Sequence, residues 1–314
     1  MNPVLLSDLV AQYVALHQSM GQGMRNNAAI LKFFCRVMGD VPVTAVTADQ
    51  VLAFLNGTGP VTLYWHRKHQ ALNSFYRFAI ARNYVTVSPL PMLLPTRPAP
   101  FVPYIYTPQE LQRLLDATAL FPNRKNTLPG YSFRVLLLLL YGAGLRISEA
   151  LSLTLGDVDL SSAILTIRDS KFYKTRLVPV GPRLNQELSR YREKRRPQDH
   201  SPQAFFFLTR HGTPVPSQLV ERAFDRLRRH AGVHRPGGAS PPPRLHDLRH
   251  SFAVHRLVLW YRQGADVQKL LPRLATYLGH VEIDSTQHYL TMTPDLLQEA
   301  CLRFERYALP GSES

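Results

Sequence analysis

The sequence is poor in cysteine, in acidic residues and in long apolar runs, and each shortage excludes a class of protein. Cys35 and Cys301 are the whole cysteine content, so neither a disulfide framework nor a cysteine-rich zinc module can be built, and we expect a cytoplasmic protein. The longest apolar run covers residues 135–145 and is far shorter than the roughly 18 residues of a membrane span. We therefore expect a buried helix there and no association with a membrane.

The charge is strongly one-sided. The 314 residues include 37 Lys and Arg against 22 Asp and Glu, which gives a formal net charge of +15. A polyanion is the favoured partner, because each Lys or Arg placed on a phosphate releases a condensed counterion. The alternative is that the excess charge only keeps the protein soluble. With 45% apolar residues and this length, we expect two domains, each with its own core.

A proline-rich segment marks the expected domain boundary. Six prolines between residues 89 and 103 favour an extended, semi-rigid linker, which separates residues 1–88 from residues 104–314. In the first domain, helical spacing predicts helices at about 4–19, 25–38, 47–56 and 60–83. The last of these carries Arg67 and Lys68, which are candidate DNA contacts or, alternatively, members of a solvated face.

The second domain is expected to combine helices with one β-hairpin. Helical spacing predicts helices at about 108–119, 131–143, 183–195, 216–231, 246–262, 283–291 and 293–306. Residues 163–168 and 175–180 are rich in β-branched side chains and predict the hairpin, with Lys171 and Lys174 at its tip.

Polar residues of the second domain are concentrated in three segments, residues 142–153, 246–255 and 278–290. Arg146 and Arg249 can each present a planar fork to the oxygens of a phosphodiester. His246, three residues before Arg249, can hydrogen-bond the phosphate or move a proton. The Tyr289 hydroxyl can form a covalent phosphoryl intermediate, and nearby cations must activate it because the pKa of free tyrosine is about 10.

The order of these motifs resembles the tyrosine recombinases, or phage integrases, and among them the bacterial Xer and transposon-borne recombinases. The motifs are Gly-Leu-Arg146-Ile-Ser-Glu149, His246-Asp-Leu-Arg249-His250, and Leu-Gly-His280 followed nine residues later by Tyr289. The resemblance spans most of residues 141–290. It implies a mainly α fold with a small antiparallel β-sheet, formed by a helical core-binding domain that clamps DNA and a mixed α+β catalytic domain.

The resemblance also implies roles for individual residues. It places the catalytic side chains of Arg146, His246, Arg249 and His280 around the scissile phosphate, with Tyr289 as the nucleophile. Lys171 is the expected general acid, and Lys174 stays an alternative because the usual glycines of that turn are missing. Glu149 and His250 are expected to support the catalytic groups from behind. Lys174 and Arg176 are further candidate DNA contacts.

The implied reaction is site-specific recombination of double-stranded DNA through a 3′-phosphotyrosyl intermediate and a Holliday junction, without a metal or another cofactor. The implied assembly is a homo-tetramer on two DNA sites, joined through the C-terminal helix at about 293–306. Alternatively, this helix packs on its own domain. The target DNA, the biological outcome (integration, excision, transposition or dimer resolution) and any accessory recombinase or DNA-bending protein stay open.

Three other functions use part of the same residues. His246 and His250 have the spacing of a helical zinc site, but an aspartate replaces the glutamate base and Arg249 between the histidines opposes a cation. A DNA-binding regulator without catalytic activity would not need the full set of catalytic side chains that this sequence contains. Relaxation of supercoils, as catalysed by type IB topoisomerases, uses the same chemistry and differs in product topology.

Overall fold

The computed structural model describes residues 4–98, 101–120, 128–170, 174–195, 199–238 and 241–279. The described backbone separates into two compact units, with the boundary between Phe101 and Val102. This boundary lies within the proline-rich segment at 89–103. No helix in these residues combines the length and the hydropathy of a membrane span.

The first unit is built from four helices, as the apolar spacing predicted. They are α1 (Leu6–Ser19), α2 (Arg25–Met38), α3 (Ala48–Asn56) and α4 (Leu63–Ala81). Each helix buries one apolar stripe in a shared core. The start of α3 is fixed by a capping box, in which the Thr47 hydroxyl accepts from the Gln50 amide and the Gln50 side chain accepts from the Thr47 amide.

Lys68 on α4 points into the first unit and is only 6% exposed. Its ammonium donates hydrogen bonds to the carbonyl groups of Phe54 and Leu55 in the last turn of α3. Such carbonyl groups have no partner within their own helix and attract a cation. This geometry does not support the predicted DNA contact of Lys68, because its ammonium stabilises a helix end. Arg67 is exposed and stays a candidate DNA contact.

The second unit surrounds a small sheet with helices. Its elements are α5 (Pro108–Leu120), α6 (Gly130–Gly142), α7 (Ile147–Ser152), β1 (Val158–Asp159), β2 (Ile164–Ser170), β3 (Lys174–Pro179), α8 (Pro182–Lys194), α9 (Ser217–His230), α10 (Asp247–Arg262) and α11 (Val267–Leu278). The three strands are antiparallel in the order β1-β2-β3. The expected fold class, mainly α with a small antiparallel sheet, is confirmed.

Helix α6 forms the centre of this unit. The apolar run that predicted a buried helix supplies core residues such as Leu136, Leu139 and Leu140, and α6 packs against α5, α8 and α10. The chain leaves α6 through a sharp turn at Gly144, where φ is +61°. Because of this turn, Arg146 lies at the start of α7.

The sequence did not predict α7, β1 or α11. Six-residue and two-residue elements are too short for a periodic pattern to be recognised. Helix α11 contains Pro272 in its interior, which normally argues against a helix because proline lacks the amide donor. The helix forms because Asp266 caps its first turn and because Val267, Leu271, Leu274 and Leu278 bury a common face.

Candidate active site

A single buried carboxylate, that of Glu149, links two of the three polar segments, through Arg146 and Arg249, to strand β3, through Arg176. Glu149 is 7% exposed. Its Oε1 accepts from Nη1 of Arg146 at 2.6 Å and from Nη1 of Arg176 at 3.1 Å. Its Oε2 accepts from Nη2 of Arg176 at 2.8 Å and lies 3.9 Å from Nη1 of Arg249. One negative charge therefore holds three guanidinium groups together.

The local sequence explains how Glu149 reaches Arg146. Arg146 occupies the position before the first turn of α7, and Glu149 is the third residue of that helix. From this position Oε2 of Glu149 accepts the backbone amide of Arg146 at 2.9 Å, which satisfies one of the free donors at the helix start. The three-residue spacing that the sequence displays is thus the spacing of a helix cap.

Glu149 is ionised throughout the ordinary pH range. Burial on its own raises the pKa of Glu149, but the hydrogen bonds from Arg176 and from the Arg146 amide, together with the charges of both arginines, lower it to about 2. A charged carboxylate at this position keeps the arginines in place. It also offsets part of the repulsion among them.

The same three arginines also bind the C-terminal end of α11. They donate to three consecutive carbonyl groups: Nε of Arg176 to Tyr277 at 3.0 Å, Nη2 of Arg249 to Leu278 at 2.6 Å, and Nη2 of Arg146 to Gly279 at 3.1 Å. Carbonyl groups at a helix C-terminus lack intrahelical partners and carry partial negative charge. We call Arg146, Arg176 and Arg249 the arginine clamp.

Two glycines make the clamp possible. Gly279, the residue after α11, has φ of +68°, and a Cβ atom there would lie 2.7 Å from Nη1 of Arg176. Gly144 has φ of +61°, a Cβ there would lie 2.6 Å from the Phe252 ring, and its carbonyl accepts from Nη1 of Arg249 at 2.6 Å. A side chain at either position would push the clamp apart.

The substitution Gly279→Ala is expected to lower the free energy of unfolding of the second unit by about 2–3 kcal/mol. A positive φ is unfavourable for alanine, and its Cβ would also collide with Arg176. Gly264→Ala is the matched control: its φ is +70°, but nothing lies within 4 Å of the added Cβ, so a loss of about 1 kcal/mol is expected. Urea unfolding followed by Trp260 fluorescence in a Trp65→Phe background measures both variants. If both variants lost the same free energy of unfolding, the close approach of residue 279 to Arg176 would not contribute to stability.

His246 lies at the N-terminal end of α10, beside the clamp. Although the residue is exposed, partial desolvation by the surrounding protein and the positive charges of Arg249 and Arg244 lower its pKa to about 4. The imidazole is therefore neutral at pH 7, and its ring meets that of His250 edge to face at 4.9 Å. In the described part of the chain, no group of three or more His, Cys, Asp and Glu side chains could hold a metal ion.

The structure thus brings Arg146, Glu149 and Arg249 together and places His246 and His250 on the helix that carries Arg249. Three other predicted site residues, Lys171, His280 and Tyr289, lie outside the described residues, as do the predicted helices at 283–291 and 293–306. Lys174 is the first residue of β3 and pairs with Ser170 across the hairpin.

Arg176 has a different place from the one predicted. Its side chain is 9% exposed, and its guanidinium is bound by Glu149 and Tyr277, so the structure does not support a direct DNA contact. The sequence does contain a signal for the burial of Arg176. Residues two apart on a strand lie on the same face of the sheet, and Arg176 is two residues before Val178, which is fully buried. Arg176 pairs with the buried Ile167 of β2, on the face that points into the protein.

The sequence is similar to those of known proteins. Residues 105–295 match the phage integrase family. A Sinorhizobium fredii protein named for integrase/recombinase activity, y4rB, is 36% identical over 95% of this chain and 96% of its own length. Tyrosine recombinase XerC of Oceanobacillus iheyensis is 30% identical over 89% of this chain and 87% of its own length.

The fold is also similar to that of lambda integrase, solved as a tetramer bound to a Holliday junction. That structure has a TM-score of 0.66 and 20% sequence identity, and it covers 90% of this chain and 79% of the lambda integrase chain. The family match extends over more than half of the sequence, and the two relatives cover nearly all of it. The chain therefore belongs to the phage integrase family, the tyrosine recombinases.

Proposed function

We propose that this protein is a site-specific recombinase that cuts and rejoins double-stranded DNA through Tyr289. The observation that carries the proposal is the arginine clamp, because it holds Arg146 and Arg249 beside the end of α11, eleven residues before Tyr289. A guanidinium fork suits the non-bridging oxygens of a phosphodiester. Arg249 is 2% exposed and its Nη atoms donate to the carbonyl groups of Gly144 and Leu278, so its proposed phosphate contact requires these bonds to be exchanged for bonds to DNA. Arg146 keeps 28% of its side chain exposed and retains free edges for such a contact.

The proposed chemistry is a pair of transesterifications. The Tyr289 oxygen attacks the phosphorus, a 3′-phosphotyrosyl bond forms, and the bond to the 5′ oxygen breaks. Lys171 gives a proton to the departing 5′ oxygen, with Lys174 as the alternative donor. In the second step the 5′-hydroxyl of a partner strand attacks the phosphotyrosine and releases Tyr289. Each step exchanges one phosphoester for another, so no nucleotide hydrolysis is needed.

The cations of the site lower the barrier to both steps. Arg146 and Arg249 stabilise the charge that develops on the phosphoryl oxygens in the transition state. His280 and His246 complete the set around the phosphate. Because His246 is neutral at pH 7, it can either donate a hydrogen bond to a phosphate oxygen or accept the proton of the attacking hydroxyl.

We further propose assembly as a homo-tetramer on two DNA sites, the arrangement in which lambda integrase was solved on a Holliday junction. The residues after Tyr289, at about 293–306, would link neighbouring subunits. Arg67 and Lys174 are the proposed contacts to the DNA backbone, and an accessory recombinase or DNA-bending protein is compatible with this assembly. We also propose that the protein acts in the cytoplasm, since its proposed substrate is DNA.

Covalent trapping tests the proposed function. The protein is incubated in EDTA with nicked suicide duplexes drawn from DNA flanking its gene, and the products are separated on a denaturing gel. We expect a slow-migrating protein–DNA adduct, because the nick lets the 5′ fragment diffuse away before religation. A tight, specific complex without any adduct would contradict the proposal and favour a regulator. Adduct formation that EDTA abolishes would favour metal-dependent chemistry instead.

A further inference from the structure

Arg176 is the one member of the arginine clamp that no catalytic motif contains. It lies on β3, it is almost completely buried, and it is the clamp residue that uses both of its Nη atoms on Glu149. We propose that Arg176 is a positioning residue: it fixes the orientation of Arg146 and the end of α11 for DNA cleavage without touching the DNA. This inference rests on the recombinase function proposed above.

The geometry of Glu149 supports the first half of this inference. Each carboxylate oxygen of Glu149 accepts one hydrogen bond from Arg146 and one from Arg176: Oε1 from both Nη1 atoms, and Oε2 from the Arg146 amide and from Nη2 of Arg176. The carboxylate therefore cannot turn toward or away from Arg146 without breaking a bond to Arg176. The direction in which Arg146 points is in this way fixed by a residue on another strand.

The contacts at α11 support the second half. Nε of Arg176 donates to the carbonyl of Tyr277, and the guanidinium lies against the space that a Cβ of Gly279 would fill. From Gly279 the chain leads directly to His280 and Tyr289. Toward the other end of β3, Lys174 is two residues from Arg176, and Lys171 precedes the strand. One side chain thus connects three segments that carry proposed catalytic groups.

The planar fork of arginine is needed for this set of contacts. Arg176 uses Nη1, Nη2 and Nε at once, the first two on a carboxylate and the third on a carbonyl. A lysine ammonium is a point charge on a flexible stem and cannot reproduce three bonds in one plane. Arg176→Lys therefore keeps the positive charge beside Glu149 but no longer fixes the orientation of the Glu149 carboxylate.

The test separates DNA binding from the cleavage rate in Arg176→Gln and Arg176→Lys. The matched control is Arg228→Gln: the Arg228 side chain is 8% exposed and likewise binds one carboxylate, that of Asp225, and one backbone carbonyl, that of Val233. For each variant, adduct formation on the nicked duplex is measured across DNA concentrations. This gives a rate at saturating DNA and a half-saturating concentration.

We expect both Arg176 variants to form adduct about 10–100 times more slowly at saturating DNA, since small misplacements of reacting groups have effects of this size. The half-saturating DNA concentration and its salt dependence should change less than about threefold, and Arg228→Gln should keep the wild-type rate. Arg176→Gln should add little to the defect of Glu149→Gln, because both act through one carboxylate. If Arg176→Gln does not fold, Arg176→Lys supplies the measurement.

Three results would overturn the inference. An unchanged rate at saturating DNA would make Arg176 an ordinary buried ion pair. A weakened, less salt-dependent binding with an unchanged saturated rate would make it a phosphate contact. A slow Arg228→Gln would show that any loss of a buried arginine has the same effect. Absence of adduct with wild-type protein would instead contradict the recombinase proposal itself.

Discussion

Tyr289→Phe is expected to abolish the covalent DNA adduct completely while leaving DNA affinity within about threefold of wild type. Phenylalanine keeps the ring and loses only the oxygen that forms the phosphotyrosyl bond. The phosphate contacts proposed for Arg146 and Arg249 stay in place, and such contacts supply most of the affinity for DNA. Gel-shift titration measures binding, and a denaturing gel of the nicked duplex measures the adduct.

The matched control for this experiment is Tyr261→Phe. Tyr261 lies near the C-terminal end of α10 and is partly exposed, so the same change of one oxygen is made on a tyrosine outside the clamp. This variant should form adduct at the wild-type rate. If Tyr289→Phe still forms adduct, peptide mapping of the cross-linked residue would identify another nucleophile, and the role of Tyr289 would be refuted.

Local signals in the sequence were sufficient for most of the helical framework. Helices α1 to α4 follow the apolar spacing closely, because each has a single buried stripe. The capping boxes of Thr47 with Gln50 and, at the start of α5, of Thr107 with Glu110 were also predictable, since a capping box involves residues only three positions apart. Helix α11 was not predictable in this way, because Pro272 contradicts the local rule and tertiary burial outweighs it.

In the candidate site, too, the residues in compact motifs were predictable, whereas those with distant partners were not. Arg146, Glu149 and Arg249 belong to compact motifs, so their proximity could be predicted from the resemblance to the family. The roles of Arg176 and Lys68 depend on partners far away in the sequence: Tyr277 and Glu149 for the first, and the end of α3 for the second. Arg176 lies on the buried face of β3, and Lys68 lies on the buried stripe of α4. A charged residue at such a position predicts a specific internal partner.

Glu149→Gln is expected to cost about 3 kcal/mol of stability at pH 7 and to slow DNA cleavage strongly. The substitution removes the only carboxylate that the described residues place among Arg146, Arg176 and Arg249, and breaking a buried ion pair on one side leaves uncompensated charge. The surface pair Arg190–Glu187 offers the control: Glu187→Gln should cost less than about 1 kcal/mol. Urea unfolding followed by Trp260 fluorescence in the Trp65→Phe background measures both variants.

The pH dependence of the Glu149→Gln effect provides a stricter test than its size. Because the pKa of Glu149 is about 2 in the folded protein and near its ordinary value of 4.5 in the unfolded chain, the carboxylate stabilises the fold fully above pH 4.5. This contribution is lost as the pH falls toward 2. The stability difference between wild type and Glu149→Gln should therefore shrink steadily below pH 4.5. A difference that stays constant down to pH 3 would mean that glutamine disturbs packing and that the ion pairs of the clamp contribute little.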